Sequence, residues 1–253
     1  MSWRVVSASE IGTSHVISGS SCEDSCWAQV HTTAAGESLL SIFVSDGAGS
    51  AARGGEGAEL AIQAAADFIT RKLQLAEFRL SDELAVECVL CVRERIYAGA
   101  ESQALSARDF ACTFLGVIST TFGTLVMQIG DGGVAVDVGN GLEVPIVPMS
   151  GEYANMTHFV TDEDAVNVLA TKLYDAPTSR VAAFSDGIQR LALDMATNTA
   201  HEPFFAPFFK VLASATPDQE DQLQGALVRF LGSPAVNERT DDDKTLALAV
   251  LIP

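Results

Sequence analysis

The chain has 253 residues, 48% of them hydrophobic, so it can bury a sizeable core as one large domain or two small ones. Its 33 acidic and 15 basic residues give a net charge of −18, which disfavours nucleic acid and anionic membranes as partners. No apolar stretch has the length of a membrane span, and the first residues lack the pattern of a secretory signal. Together with an odd count of five cysteines, these features predict a cytoplasmic protein with reduced thiols.

The first part of the chain predicts three strands followed by a pair of helices. The strands are expected at residues 3–9, 26–31 and 39–45. A glycine-rich loop at 47–57 then leads into a helix, in which apolar residues recur at helical spacing from Leu60 to Ile69. A second helix is expected over about 81–99.

The rest of the chain predicts more strands, with helices towards the end. Three strands within residues 110–139 have tight connections and are expected to form an antiparallel meander. Further elements are expected in chain order: a strand at 156–161, a short helix at 163–172, a strand at 180–185, helices within 187–235, and a final strand at 245–252. The fold class is therefore α+β with antiparallel sheets. No linker or repeat interrupts the chain, so residues 1–253 are expected to form a single domain.

Two residue clusters have both a functional and a structural interpretation. Cys88 and Cys91 form a C-x-x-C pattern on the apolar face of the second helix. Without a second cysteine pair to complete a zinc site, core packing is favoured for them. The four phenylalanines within residues 204–209 could form a docking surface, but packing against the core is favoured because large apolar patches are rarely exposed.

Three apolar runs each end in Asp-Gly, at Asp46, Asp131 and Asp186, and a fourth acidic cluster at 241–243 precedes the last strand. Carboxylates gathered at strand ends repel one another unless a cation lies between them, and oxygen ligands select Mg²⁺ or Mn²⁺. The alternative is that each Asp-Gly is a hairpin turn. That alternative is strongest for Asp131, because another strand follows it at once.

The order of these motifs resembles a known family. Glu23-Asp24 comes first, then the three Asp-Gly motifs, then Asp242-x-x-Thr245. This series resembles the metal-dependent protein phosphatases of the PP2C (PPM) family, above all their compact bacterial members. The resemblance implies a central β-sandwich of two antiparallel sheets flanked by helices, with a variable segment at about 140–180 over the cleft. In that segment, residues 151–155 resemble a stretch of the bacterial members.

The resemblance also implies a metal site with two Mn²⁺ or Mg²⁺ ions and a third, weaker one. Asp46 would bridge the two ions, joined by the carbonyl of Gly47. The remaining roles implied by the resemblance are direct ligation by Asp186 and Asp242, water-mediated binding by Glu23 and Asp24, and a third-metal site at Asp131. Asp242 is chosen over its neighbours because the family spacing is Asp-x-x-Thr or Ser.

The sequence departs from the family pattern at two positions. Gly19 stands where many members have an Arg that binds the substrate phosphate, and Ala48 stands where many have a His proposed as general acid. Arg53, on the glycine-rich loop, is the candidate for phosphate binding, with a solvated loop residue as the alternative. His15 is the candidate acid, with a purely structural histidine as the alternative.

The resemblance implies hydrolysis of phosphoserine and phosphothreonine in proteins by direct attack of a metal-bridging hydroxide, without a phosphoenzyme. The partners would be phosphoproteins modified by a Ser/Thr kinase. Two alternatives remain open. The absent Arg and His favour a weak or inactive adaptor that binds phosphoproteins. The same site would also suit a hydrolase of small phosphate esters.

Overall fold

The structure, a computed structural model, describes residues 2–33, 36–75, 78–148 and 157–252. Most of its strands belong to two antiparallel sheets of five strands each. The strands in chain order are β1 Ser2–Glu10, β2 Asp24–Thr32, β3 Ser38–Asp46, β4 Phe114–Ser119, β5 Thr124–Ile129, β6 Gly133–Asp137, β7 Leu142–Glu143, β8 Ala170–Tyr174, β9 Arg180–Phe184, β10 Leu193–Asp194, β11 Thr199–Ala200 and β12 Lys244–Ile252. The first sheet has the order β1-β12-β9-β6-β7 and the second β2-β3-β4-β5-β8, while β10 and β11 form a small hairpin.

Helices cover the outer faces of both sheets. They are α1 Thr13–Ser18, α2 Gly54–Lys72, α3 Asp82–Ser102, α4 Ala165–Val168, α5 Asp186–Ala192, α6 Glu202–Ser214, α7 Glu220–Leu231 and α8 Pro234–Asn237. Helices α2 and α3 pack on the second sheet, and α5, α6 and α7 pack on the first. No helix in the described ranges combines the length and the apolar character needed to cross a membrane.

The core between the sheets is built from alternate residues of facing strands. In β3, Leu40, Ile42 and Val44 face the other sheet, whereas Leu39 and Phe43 pack under the helices. Because both faces of this strand are covered, its sequence is a continuous apolar run. The predicted sandwich of two antiparallel sheets flanked by helices is confirmed.

One predicted strand arrangement is wrong. β4 and β5 pair as expected, but β6 leaves them and joins the first sheet beside β9. The switch occurs at the turn that contains Asp131, where Gly130 has a positive φ of 110°. Val134 and Val136 of β6 then face the core between the sheets. A short connection usually joins two strands that are neighbours in the same sheet. Here the short turn after β5 leads instead to β6 in the opposite sheet.

The segment after residue 156 also differs from its prediction. Instead of a strand at 156–161, residues 157–161 form loop and turn, because Phe159 N–H donates to Asp162 Oδ2 (2.8 Å) rather than to a neighbouring strand. Of the helix predicted at 163–172, only the four residues of α4 are helical. The chain then continues into β8, the edge strand beside β5. Residues 151–155 of the predicted variable segment lie outside the described residues.

The remaining predicted elements appear with small changes. Residues 187–235 contain four helices, interrupted by the β10–β11 hairpin. The phenylalanine cluster packs against the first sheet, with Phe205 and Phe209 buried. Cys88 is buried in the core under α3, and all five cysteines are free thiols.

Candidate metal centre

The first two site residues lie at the ends of β2 and β3. Asp24 opens β2 and Asp46 closes β3, and the register places them directly opposite each other. Thr113 fixes Asp46 at this point: its Oγ1 accepts from Asp46 N–H (3.0 Å) and its N–H donates to the Asp46 carbonyl (2.8 Å). Glu23 precedes Asp24, and its carbonyl accepts from Gly47 N–H (3.1 Å).

The end of β9 adds the third carboxylate. Asp186 is the first residue of α5, and its carboxyl group lies beside that of Asp46. The preceding Ser185 links three strands, because its hydroxyl donates to Asp24 Oδ2 (2.7 Å) and accepts from Thr245 N–H (3.0 Å). This buried network fixes the ends of β2, β9 and β12 relative to one another.

Asp131 and Asp242 belong to two further segments that line the cleft. Asp131, on the turn between β5 and β6, accepts at Oδ2 from Thr157 Oγ1 (2.7 Å). Asp242 lies just before β12, and its Oδ1 accepts from Asp243 N–H (2.9 Å). Asp242 lines the cleft together with Asp131 and Asp186, whereas Asp241 is not part of the lining. The lining therefore includes both Asp242 and Asp243 and excludes Asp241, and the choice of Asp242 as the metal ligand stays a prediction.

These elements enclose a cavity of about 240 Å³ at one end of the sandwich. Its walls contain most of the predicted site residues together with the start of the glycine-rich loop and two later segments. The lining residues are His15, Asp46, Gly47, Ala48, Gly49, Ser50, Thr113, Asp131, Thr157, Phe159, Asp186, Asp242 and Asp243. Glu23 and Asp24 are not part of the lining and are packed beside it through the contacts with Gly47 and Ser185.

The glycines of the three Asp-Gly motifs do not serve as turn residues with positive φ. Gly47, Gly132 and Gly187 all lack the positive φ that an Asp-Gly hairpin turn needs. Each is instead approached by another segment of the backbone. A Cβ on Gly47 would collide with Gly54, and one on Gly187 would collide with the carbonyl of Asp243. The glycines thus allow the chain to pack closely around the carboxylates.

Burial and mutual repulsion shift the titration of this cluster. Burial raises the pKa of Asp24 to about 7, although hydrogen bonds from Ser185 and Thr245 oppose the shift. Burial, reinforced by the charge of Asp242, raises the pKa of Asp186 to about 6. Burial also raises the pKa of Asp46, Asp242 and Glu23. The folded chain therefore disfavours the charged form of these groups unless a cation is present.

The donor set fits a divalent cation. Among the described residues, no lysine or arginine forms an ion pair with the carboxylates of this site. Lys244 follows Asp243 but turns away, donating to the Ile11 carbonyl and to Asn237 Oδ1 (both 2.9 Å). Three buried carboxylate oxygens lack a hydrogen-bond partner: Glu23 Oε2, Asp24 Oδ1 and Asp186 Oδ1. Buried oxygens of this kind are the ligands that Mg²⁺ and Mn²⁺ take.

The two basic candidates have different surroundings. His15 lines the cavity, and its Nδ1 contacts Asp243 Oδ2 (2.9 Å). Arg53 is the residue before α2, with a side chain 55% exposed, and its guanidinium lies 3.9 Å from Glu56. Arg53 does not line the cavity. The structure thus brings His15 into the site and leaves Arg53 at its margin.

The sequence interpretation does not identify every polar residue of the site, and Thr113, Ser185 and Asp243 are examples. Thr113 has no motif around it that marks a site. Ser185 precedes the third Asp-Gly, as Ser45 precedes the first, and this repetition is the signal that would have identified it. Asp243 lies within the acidic triplet, where the family spacing selects only one of the three residues.

A second acidic group lies beside the cleft. His158, Asp162 and Asp164 bring one potential ligand atom each within 4.8 Å of the others. These residues are half-buried or exposed, and Asp162 already accepts a hydrogen bond from Phe159. We assign no metal to this group, since exposed acidic groups of this kind are common.

Comparison with known proteins gives a consistent result. The family model for protein phosphatase 2C matches residues 11–232. The chain is 57% identical to serine/threonine-protein phosphatase 3 of Escherichia coli (strain K12) over 250 residues, 99% of each chain. The structure superposes on the catalytic domain of the serine/threonine protein phosphatase PstP in complex with two manganese ions, with a TM-score of 0.64, 16% identity and 99% of each chain covered. It also superposes on the serine/threonine phosphatase of S. agalactiae, with a TM-score of 0.63, 15% identity and 98% and 99% covered.

Proposed function

This chain belongs to the protein phosphatase 2C family, and from that premise we propose that it hydrolyses phosphoserine and phosphothreonine in proteins, using divalent cations bound at the carboxylate cluster. One observation carries the metal assignment. Carboxylates from separate strand ends line one cavity, and among the described residues three buried carboxylate oxygens in or beside that lining, of Asp186, Glu23 and Asp24, have no partner. The relative that is 57% identical is itself a serine/threonine-protein phosphatase, which supports the substrate class.

We assign the ligands as the sequence predicted them. Asp46 and the carbonyl of Gly47 would hold two ions, with Asp186 and Asp242 as the other direct ligands. Glu23 and Asp24 would act through bound waters, which fits their position beside the lining. Asp131, together with Asp186, would hold a third, weaker ion. The ions are Mn²⁺ or Mg²⁺, and the two manganese ions of the PstP structure support a count of two.

When bound, the two cations supply a nucleophile from water at neutral pH and offset the charge on the phosphate during in-line displacement. The chain itself positions the reactants. The rigid ends of β3 and β9 hold the carboxylates, and the loop from Ala48 to Ser50 forms a wall for the phosphate. His15 faces the cleft as the proton donor to the leaving oxygen, and Arg53 adds a positive charge at the rim.

We infer that the substrates are proteins phosphorylated by a Ser/Thr kinase in the cytoplasm. The net charge of −18 argues against nucleic acid and anionic membrane surfaces as partners. An acidic protein nevertheless binds a phosphorylated chain where bound cations make the site locally positive.

The proposal is tested by phosphate release from a phosphothreonine peptide and from nitrophenyl phosphate, with Mn²⁺ and with a chelator. We expect Mn²⁺-dependent turnover on both and a higher kcat/KM on the peptide. A preference for the small ester would instead indicate a hydrolase of small phosphate esters. If turnover is absent while the phosphopeptide still binds, the chain is an adaptor and the enzymatic proposal is wrong.

A further inference from the structure

Asp243 is the most highly connected carboxylate at the cleft. It is 3% exposed and accepts three hydrogen bonds from the segment that precedes β2. Gly12 N–H donates to Oδ1 (2.6 Å), Glu23 N–H donates to Oδ2 (2.6 Å), and His15 Nδ1 contacts Oδ2 at 2.9 Å. One buried side chain therefore fixes a histidine of the cleft and the backbone on both sides of it.

The neighbouring backbone reinforces this attachment. The carbonyl of Asp241 accepts from Ser14 N–H (2.9 Å) and from Ser14 Oγ (2.7 Å). Gly12 lies so close to Asp242 that a Cβ would collide with the backbone there. Helix α1, which carries His15, is thus docked on the residues just before β12. Its position depends on the side chain of Asp243 and on the backbone of Asp241.

The contact with Asp243 decides how His15 can act. A carboxylate only accepts, so the histidine nitrogen that faces it, Nδ1, carries a proton. The remaining nitrogen, Nε2, is then the one available to a substrate in the cavity that His15 lines. An aspartate that orients a histidine through Nδ1 is a general arrangement for proton transfer.

We propose that Asp243 is a positioning residue that holds the His15 ring with Nε2 towards the leaving oxygen, so that the pair supplies the proton donor of this chain. The inference rests on the proposed phosphatase function. In the step, water adds its oxygen to phosphorus and releases one proton to solvent, the bond from phosphorus to the serine or threonine oxygen breaks, and the His15 ring, protonated at both nitrogens, transfers its Nε2 proton to that oxygen. Solvent then returns a proton to His15. Among the described residues that line the cavity, His15 is the only basic one, so this task falls to it.

Substrates with different leaving groups test the pair. Nitrophenolate leaves without a proton, whereas a serine or threonine alkoxide needs one. We expect His15→Ala and Asp243→Ala each to lower kcat on the phosphothreonine peptide by roughly 100-fold or more, a usual effect of losing a general acid. On nitrophenyl phosphate the loss should be at least about tenfold smaller. The double variant should change the ratio of the two rates no further than either single variant, because both remove the same function.

Asp137→Asn is the matched control. Asp137 is also a buried aspartate that accepts two backbone N–H groups, from Gly139 and Gly141, and it lies at the opposite end of β6 from the Asp131 turn. Its substitution should affect both substrates equally. The inference is overturned if Asp243→Ala lowers kcat on both substrates equally while His15→Ala lowers it mainly on the peptide. Asp243 would then have only a structural role. A His15→Ala variant without selectivity overturns it as well.

A second readout does not depend on activity or on metal. In metal-free protein labelled with ¹⁵N, the spectrum of the four histidines should show His15 protonated at Nδ1, and this signal should be lost in Asp243→Asn. Asparagine at this position would place an N–H₂ group where one carboxylate oxygen of Asp243 now accepts hydrogen bonds. Asp243→Asn also serves as the second variant if Asp243→Ala does not fold. A wild-type His15 that is protonated at Nε2 alone overturns the inference. A wild-type chain without turnover refutes the phosphatase proposal, but the spectrum still decides whether Asp243 holds the ring.

Discussion

Asp24 and Asp46 lie directly opposite each other in the register that pairs β2 with β3. Like charges at such a position destabilise a sheet, and burial raises the pKa of both groups. The serine and threonine contacts around them hold the two carboxylates together despite this repulsion. The arrangement opposes stability in the metal-free chain and is explained by the cations that we place there.

Asp46→Asn should therefore stabilise the metal-free protein and inactivate it. Removing one of two facing carboxylates relieves the repulsion, which should raise the melting temperature by roughly 2–4 °C for each kcal/mol of repulsion removed. The same change should abolish the stabilisation that Mn²⁺ gives to the wild-type chain. Thermal unfolding with and without Mn²⁺ measures both effects. A variant that melts lower than wild type in chelator and still responds to Mn²⁺ would contradict the assignment of Asp46.

The stability of the metal-free protein should fall as pH rises from about 4 to about 7. Asp24 and Asp186 have folded pKa values of about 7 and about 6, both raised from 3.8. Over that window the folded state keeps protons that the unfolded state has lost, so their contribution is full at low pH and is lost as pH rises through the folded pKa values. Urea unfolding at several pH values in chelator measures the slope. Saturating Mn²⁺ should remove this dependence of stability on pH, because the cation favours the ionised carboxylates. A stability that does not change with pH in chelator would be evidence against the raised pKa values.

The acidic triplet before β12 provides a matched pair of variants. Asp242→Asn should lower kcat/KM by roughly 100-fold or more, because Asp242 lines the cavity and its charge helps to bind the cations. Asp241→Asn should stay within about threefold, since Asp241 contributes its carbonyl to the Ser14 contact and does not line the cavity. Asp186→Asn should match Asp242→Asn. Equal losses in Asp241→Asn and Asp242→Asn would show that the register is wrong.

Gly187→Ala should damage the site through packing alone. The new methyl group would collide with the carbonyl of Asp243, and neither backbone segment can move freely. We expect a loss of about 1–3 kcal/mol in unfolding free energy, as for other overpacked sites. Activity should fall more than stability predicts, because Asp186 and Asp243 both move. Gly139→Ala is the control, because Gly139 has a positive φ but no atom close to the position of an added Cβ. It measures the backbone strain of replacing a glycine without a collision.

Arg53→Ala tests the remaining basic candidate. If Arg53 binds the substrate phosphate at the rim, its removal should raise KM more than it lowers kcat. Glu56→Gln provides the control, because it frees Arg53 from its neighbour 3.9 Å away without removing the positive charge. Steady-state kinetics on the phosphothreonine peptide give both constants. An unchanged KM in Arg53→Ala would make it an ordinary loop residue.

The sequence predicts which acidic residues meet at one cavity better than it predicts the connections between elements. Asp46 and Asp186 are recognisable because a buried run ends at each of them, and burial of a run is a local property. The move of β6 to the opposite sheet is not local, since it depends on which sheet has room beside β9. Likewise, Asp162 captures the Phe159 N–H that a strand would have used, which a pattern of apolar residues does not reveal. The role of Asp243 depends on Gly12, His15 and Glu23, more than two hundred residues away.

The place of β12 in the first sheet has a consequence for biosynthesis. This strand separates β1 from β9, so the two earlier strands cannot be joined until residues 244–252 have left the ribosome. Asp242 lies just before this strand, so the carboxylate cluster is complete only after β12 has been synthesised. A nascent chain without β12 should therefore stay inert towards phosphoproteins, and deletion of β12 should leave an inactive and incompletely folded polypeptide.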